Sequence, residues 1–386
     1  MRILFCNYEY PPLGGGGGVI NAHLAEELAE RHDVTVLTSR ALGTPKTENI
    51  GGVEVIRVPV LGRNQAAAAN IASMASYLPM GAIRGYSLLR KRQFDVINTH
   101  FVVPTGPLGA ALAAYAKIPN VLTVHGGDLY DPSKASSPHR HRVLRMAIRK
   151  LLRQASVVVG QSRNTIENVH QYYLPDIGCE LIPLGIRRPG RHTVDRAGLR
   201  FSADEFLMVT VGRLVARKAV DQLIDIVHGY RDQSLRLIVI GDGPLLGELK
   251  KQAQERGVSE NVTFSGFVSE EEKVNLLAAA DLYVSTSQHE GFGLVFLEAM
   301  AAGLPVVCYD FGGQTDFLED GVTGALVSLN DQENFSGACG HYMRSAAARS
   351  AAGEENRRRV ETFFIDKCAR QYELLFERMV EQAIGS

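Results

Sequence analysis

The chain has 386 residues, 45% of them apolar and 22% charged, with a formal net charge of −1. That size points to about two domains at roughly 100–200 residues each, and the balanced charge gives no electrostatic reason to expect nucleic-acid binding. The five cysteines (Cys6, Cys179, Cys308, Cys339, Cys368) show no CxxC spacing, which argues for reduced thiols in a cytoplasmic setting and against a disulfide framework or a zinc site.

The opening MRILFCNYEYPP reads as a buried strand, since its apolar run is too short for a leader. From there short β-branched runs alternate with helical patterns. Strands are expected at 2–8, 33–39, 53–60, 94–100, 120–126 and 156–162, with helices near 19–31, 68–91, 106–117, 140–154 and 163–173. The apolar stretch 102–122 is broken by Pro104, Pro107, Lys117 and Pro119, so no membrane span is expected there. A polar, turn-rich segment at 185–205 reads as a linker. Strands follow at 206–212, 235–243, 262–268, 282–288, 305–310 and 324–328, with helices near 218–231, 244–257, 270–280 and 293–303. The tail is helical, and a last helix near 366–383 is expected to brace the first domain. Continuous apolar strands alternating with helices mean parallel sheets covered on both faces. The expected fold class is α/β: two doubly wound, Rossmann-like domains, 1–187 and 188–365, facing each other across a cleft, with 366–386 returning to the first.

Ligands of such sheets bind where strands give way to helices. Glu290 and Glu298, in EGFGLVFLEAMAAGLPVV, stand just before a helix and two turns inside it. Carboxylates only accept hydrogen bonds, so the two can hold separate hydroxyl clusters of one long sugar ligand. The bland reading is one glutamate favoured by the helix dipole and one ordinary helical glutamate. Arg213 and Lys218, in GRLVARK, open a helix whose dipole they oppose, which an anion such as a diphosphate would compensate; a solvated face is the alternative. Arg217 between them reads as solvated. His125 ends a strand in TVHGGD and can donate to a sugar hydroxyl or phosphate, with Asp128 placed to receive an acceptor hydroxyl. A structural histidine is the alternative, and His100 is a weaker candidate of the same kind. Gly14 to Gly18 form a loop that lets backbone approach a ligand, or else a plain surface turn. No acidic residue ends the second strand, which disfavours a dinucleotide oxidoreductase, and no D-x-D triplet offers a metal clamp. Between Pro132 and Ile166 there is no acidic residue, whereas Arg and Lys are frequent across 134–153. This region is either a core-packed helix with a solvated basic face or a surface for anionic lipid or an anionic acceptor.

Taken together, YPPLGGGGG, TVHGGD, VGRLVARKAVDQLI, IGDGPLLGEL, VTFSGFV, EGFGLVFLEAMAAGLPVV and GGQTDFLEDGVTGALV stand in the order found in the retaining glycosyltransferases of family four, and over nearly its full length the chain resembles them. The resemblance implies a GT-B fold and metal-independent transfer of a hexosyl group from a nucleotide-diphosphate sugar to an acceptor hydroxyl. The donor sits mainly on the second domain, and the acceptor (a carbohydrate, a lipid-linked group or a small molecule) on the first. No cofactor beyond the donor substrate is implied. A cytoplasmic enzyme of polysaccharide or glycolipid synthesis follows, in peripheral contact with the membrane if 134–153 binds lipid. By the same resemblance Glu290 contacts the donor sugar, Glu298 the ribose, and Arg213 and Lys218 the diphosphate. The backbone amides of Gly293, Leu294 and Val295 contact phosphate and sugar, Val268 borders the base, Gly17 and Gly18 close over the diphosphate, and His125 lies near the reacting sugar. Ala216-Arg217 replaces a frequent Pro-Glu, Ala219 a frequent Gly, Leu184 and Arg187 frequent Asn and Asp, and Thr315-Asp316 a usual Pro-Glu. None of these departures is expected to touch the anion-binding pair or the two glutamates. The rival readings are a non-catalytic nucleotide-sugar-binding subunit, and a sugar-nucleotide epimerase or a phosphorylase on the same fold.

Overall fold

The computed structural model describes residues 1–41, 43–63, 70–190, 196–199 and 201–385, so the start of the helical stretch expected near 68–91 and parts of the 185–205 linker lie outside the described residues. The chain forms two compact units, Met1–Arg187 with Phe364–Ser386, and Arg188–Phe363.

The first unit is built on eight strands, β1 (Arg2–Asn7), β2 (Asp33–Arg40), β3 (Thr47–Ile50), β4 (Val53–Pro59), β5 (Val96–His100), β6 (Asn120–Val124), β7 (Val157–Gly160) and β8 (Cys179–Leu181). Their order is β3-β4-β2-β1-β5-β6-β7-β8, parallel except for β3. Neither edge strand is expected from the sequence. β3 is a polar four-residue segment that pairs with β4 through Gly51 and Gly52, both at positive φ as a tight hairpin turn requires. β8 is three residues long and only partly buried. Helices α1 (Gly16–Ala29), α2 (Ile71–Lys91), α3 (Gly106–Ala116), α4 (Arg142–Gln154) and α5 (Arg163–Tyr172) cover the faces. Asn70 and Ser73 form a reciprocal capping box that starts α2, and Ser162 caps α5 through the Thr165 amide at 3.0 Å. α1 begins three residues earlier than expected, so Gly16, Gly17 and Gly18 make its first turn instead of a free loop.

The second unit holds six parallel strands, β9 (Phe206–Val211), β10 (Leu235–Ile240), β11 (Val262–Gly266), β12 (Leu282–Ser285), β13 (Val306–Tyr309) and β14 (Gly324–Val327), in the order β11-β10-β9-β12-β13-β14. Helices α6 (Val220–Gly229), α7 (Leu246–Glu255), α8 (Glu270–Ala279), α9 (Leu294–Ala302), α10 (Gln332–Arg344) and α11 (Ala346–Val360) complete it. Both sheets are doubly wound. Strand order reverses between β1 and β5 in the first and between β9 and β12 in the second, and those switch points are where open α/β sheets take ligands.

The five cysteines are free. Among the described residues no helix is long and apolar enough to cross a membrane. The C-terminal helix (Ile365–Ile384) packs on the first unit, where its first amide donates to the Ile186 carbonyl at 2.8 Å. Its Glu373 side chain, 6% exposed, meets His32 Nε2 at 2.8 Å, Arg31 Nε at 3.3 Å and Arg370 Nη1 at 2.6 Å. The Arg370 hydrogen bond, aided by His32 and Arg31, overcomes the opposing effect of burial and holds the carboxyl at about 2. Replacing Glu373 by Ala leaves these donors without their buried partner and is expected to lower stability by about 3 kcal/mol in urea unfolding. A loss under about 1 kcal/mol would mean the cluster behaves as a surface ion pair.

Candidate active site

In the second unit the chemistry gathers where β9 and β12 end. The loop after β9 carries Arg213 to Lys218, and the loop after β12 carries Glu290. The two loops are tied by main chain: the Thr286 hydroxyl donates to the Ala219 carbonyl at 2.7 Å, and the Gln288 amide to the Arg217 carbonyl at 2.8 Å. Ala219 takes φ +44, the left-handed region a glycine would occupy without a Cβ clash, in order to turn the loop into α6. Lys218 Nζ lies 2.5 Å from Glu290 Oε1, and Arg217 Nη1 lies 3.0 Å from Oε2. Glu290 is buried, which by itself opposes ionisation, but Lys218 and then Arg217 outweigh that and hold the carboxyl at about 2.

Glu290 leads into α9. Gly293, at φ +93, is its N-cap, and among the described residues no side chain caps the helix; the Phe296 amide is taken by the Gly293 carbonyl at 3.0 Å, which leaves the Leu294 and Val295 amides for an anion. Glu298 sits one turn deeper. Lys273, on α8, holds its Oε1 at 2.9 Å, whereas the buried Oε2 has no hydrogen-bond partner among the described residues. Burial raises the Glu298 carboxyl and Lys273 opposes the rise. Val268, half-buried, lies beyond the end of β11 and directly before Ser269, the N-cap of α8. Arg213 is exposed and makes no ion pair among the described residues. The structure therefore joins Lys218 to Glu290 directly and leaves the Arg213 guanidinium open on the same loop.

In the first unit the corresponding edge carries a histidine pair held uncharged. His125 and His100 are buried, and His100 Nδ1 lies 3.1 Å from His125 Nε2. A hydrogen-bond chain fixes their tautomers. The Tyr372 hydroxyl, on the C-terminal helix, is 3.0 Å from Thr123 Oγ1, which donates to Asn98 Oδ1 at 3.3 Å. Asn98 Nδ2 then donates to His100 Nε2 at 2.8 Å, so His100 Nδ1–H donates to His125 Nε2 and the remaining proton of His125 sits on Nδ1. Burial pushes His125 down to about 4, against the Gln161 hydrogen bond, and pushes His100 well below its usual value. Phe101, at the strained φ of +67, stacks on His125 with ring centroids 4.2 Å apart, and its ring edge lies where a Cβ on Gly17 would come within 2.5 Å. The Gly18 amide is taken by the Gly15 carbonyl at 3.0 Å.

Residues 192–359 match the model of glycosyl transferases group 1, and residues 15–185 match a glycosyl transferase 4-like domain. An uncharacterized glycosyltransferase of Methanocaldococcus jannaschii is 30% identical over 352 residues, 85% of each chain. The chain belongs to the family-four glycosyltransferases. A GDP-mannose-dependent alpha-(1-6)-phosphatidylinositol monomannoside mannosyltransferase of Mycolicibacterium smegmatis is 27% identical across 91% of this chain and 92% of its own. The fold matches that of a sucrose-phosphate synthase from Thermosynechococcus elongatus, with a TM-score of 0.86 at 23% identity over 99% of this chain and 100% of that one. This family-four chain is thus a GT-B enzyme that uses nucleotide-sugar donors.

One expectation needs correction. Arg217 is not a solvated bystander: it touches Glu290, so the departure from the family's frequent Pro-Glu at 216–217 does reach one of the two glutamates. Asp128 is buried and accepts the Val102 amide at 2.7 Å and the His125 amide at 2.9 Å, so its carboxylate orders the histidine turn before any acceptor hydroxyl arrives. Burial lifts its carboxyl to about 6, with those amides opposing. Sequence reasoning missed Lys273 and Phe101. Lys273 was legible only as the one cation in EEEKVNLL, and the position of Phe101 directly after His100 was the only signal for it. A glycosyltransferase with this neutral histidine pair should keep His125 uncharged at all pH values above about 5. The His125 contribution to stability is expected to be constant above about 6.5, the ordinary histidine value, and to decline as pH falls from there toward the folded-state value, because only the unfolded chain takes up that proton readily, while the raised Asp128 carboxyl works in the opposite direction below about 6. Imidazole NMR titration checks this; a His125 resonance titrating near 6.5 would refute the assigned tautomer chain.

Proposed function

We propose that the enzyme moves a hexosyl group from a nucleotide-diphosphate sugar to an acceptor hydroxyl with retention of anomeric configuration and without a divalent cation. The observation that carries this reading is the buried, ionised Glu290 beside Lys218 at the uncapped start of α9. Lys218 uses one of its three N–H donors on Glu290, which leaves two for a diphosphate. As the bond from the anomeric carbon to the diphosphate oxygen breaks, its electron pair goes to that oxygen. Lys218, Arg213 and the amides of Gly293, Leu294 and Val295 stabilise the charge there. Glu290 accepts from hydroxyls of the donor sugar, and the unpartnered Oε2 of Glu298 accepts from the ribose, with Val268 beside the base. His125 offers Nδ1–H to a sugar hydroxyl, and the Gly17 amide offers a further donor to substrate oxygen. The acceptor hydroxyl attacks on the face the phosphate leaves and passes its proton to the departing phosphate oxygen. No protein base is needed for that step.

Thermal-shift screening against UDP-, GDP- and ADP-sugars should single out the donor, because a ligand bound only by the folded chain raises stability by mass action. Transfer with that donor in EDTA, followed by NMR of the product anomer, tests the rest. An inverted product, or activity abolished by EDTA, would sink the proposal. Lys218→Ala is expected to lower kcat by about 10²–10³ while changing donor Kd far less, since its charge matters most as the leaving group forms. Equal losses in both would contradict that role.

The acceptor reading extends to α4. Ile148, Leu151 and Leu152 face the core, whereas Val143 and Met146 are 80% and 68% exposed and Leu144 and Ala147 are exposed too, beside the exposed Arg142, Lys150 and Arg153. Arg145 and Arg149 are instead pinned to the Tyr172 and Tyr173 carbonyls at 3.1 and 2.8 Å. An apolar strip flanked by cations suits the headgroup layer of an anionic bilayer. The protein should co-sediment with vesicles containing phosphatidylglycerol and not with pure phosphatidylcholine, and Val143→Asp with Met146→Asp should abolish it. Sedimentation indifferent to lipid charge or to the double substitution would end this reading.

A further inference from the structure

Arg63 lies four residues beyond the end of β4 and is 4% exposed. A guanidinium offers five N–H donors and stays charged in any protein interior, so burying it with donors unmet is costly. Here Nη1 donates to Ser39 Oγ at 2.9 Å, and the guanidinium carbon stands 4.6 Å over the Tyr8 ring. Nε and Nη2, by contrast, have no hydrogen-bond partner among the described residues. These are the two nitrogens of one edge of the fork, the edge that grips a carboxylate or phosphate in bidentate fashion. The closest anion is Glu9, whose Oε1 lies 3.9 Å from Nη2: near enough to lower the potential, too far for a hydrogen bond. The other Glu9 oxygen reaches the Gly15 amide at 3.4 Å, and Gly14, at φ +101, leaves room for that carboxylate where a Cβ would come within 2.6 Å of it. Tyr8 directly follows the end of β1, Ser39 is the next-to-last residue of β2 and Arg63 lies past the end of β4, so all three stand at the ligand-bearing edge of the first sheet.

We propose that the Nε/Nη2 edge of Arg63 seats an anionic group, a phosphate or a carboxylate, carried by the acceptor, and that Glu9 holds the place of that anion until it arrives. This rests on the reading of the first unit as the acceptor unit. Ser39 fixes the fork through Nη1 and Tyr8 supplies its floor, so the free edge is oriented before binding. The incoming anion displaces Glu9, which therefore weakens binding in the resting enzyme.

The test uses the full chain with inorganic phosphate and, separately, malonate as probes, read by thermal shift and calorimetry. The donor site also attracts phosphate, so the readout is the difference between parent and variants. Glu9→Gln should bind a probe more tightly than the parent, and Arg63→Gln more weakly by about tenfold to a hundredfold. Arg63→Lys, which keeps the charge but loses the fork, should fall between them, and its thermal midpoint shows whether the fold survives. Whichever of phosphate or malonate shows the larger difference identifies the class of anion. If parent and Arg63→Gln respond equally to both probes, or Glu9→Gln binds no better than the parent, the site is wrong. A parent that neither binds nor hydrolyses any sugar nucleotide would instead overturn the transfer reaction, since the probe measurements do not depend on it.

Discussion

A carboxylate kept ionised away from water is the constraint on which the second unit turns. Glu290 can stay charged there only because Lys218 and Arg217 lie within 3.0 Å of its two oxygens. Coulomb attraction is strong where water is excluded, so this triad fixes the loop after β9 against the loop after β12 and sets the entry to α9. Ala219 accepts left-handed strain to hold the same junction. Lys218, one of the two cations that neutralise Glu290 at rest, is also the one the proposed reaction gives to the diphosphate, so the resting ion pairs would keep that loop charged and ordered without a ligand.

The two units prepare their sites by opposite electrostatic means. In the second, opposite charges are assembled and held. In the first, burial strips charge from His100 and His125, and direction comes from a line of hydrogen bonds running from Tyr372 through Thr123 and Asn98. A neutral imidazole with an assigned tautomer donates at one known atom and repels no cation, whereas an imidazolium would do neither.

Much of the fold was legible because the physics that fixes it is local. Buried parallel strands must be apolar on both faces, and the runs that met this condition are strands within a residue or two at most ends. β3 and β8 escaped because short edge strands carry few apolar residues and little alternation. Lys218, Glu290 and Glu298 were legible from their places at strand ends and helix starts. Their partners were not, because the Lys218–Glu290 contact spans 72 residues of sequence and Lys273–Glu298 spans 25, and no local spacing encodes which cation a glutamate will meet. Arg217 and Arg63 were invisible for the same reason. A lone arginine in a sequence looks solvated until burial is known.

The C-terminal helix belongs to the unit whose strands are made first, and Arg188–Phe363 is folded between its two parts. A ribosome therefore releases the whole second unit before the first can be completed. Until Ile365–Ile384 emerges, Thr123 lacks the Tyr372 hydroxyl and His32 lacks Glu373. Completion of the histidine site thereby waits on a segment made after the whole of the second unit, and a nascent chain with Arg188–Phe363 already folded still has an unfinished first unit.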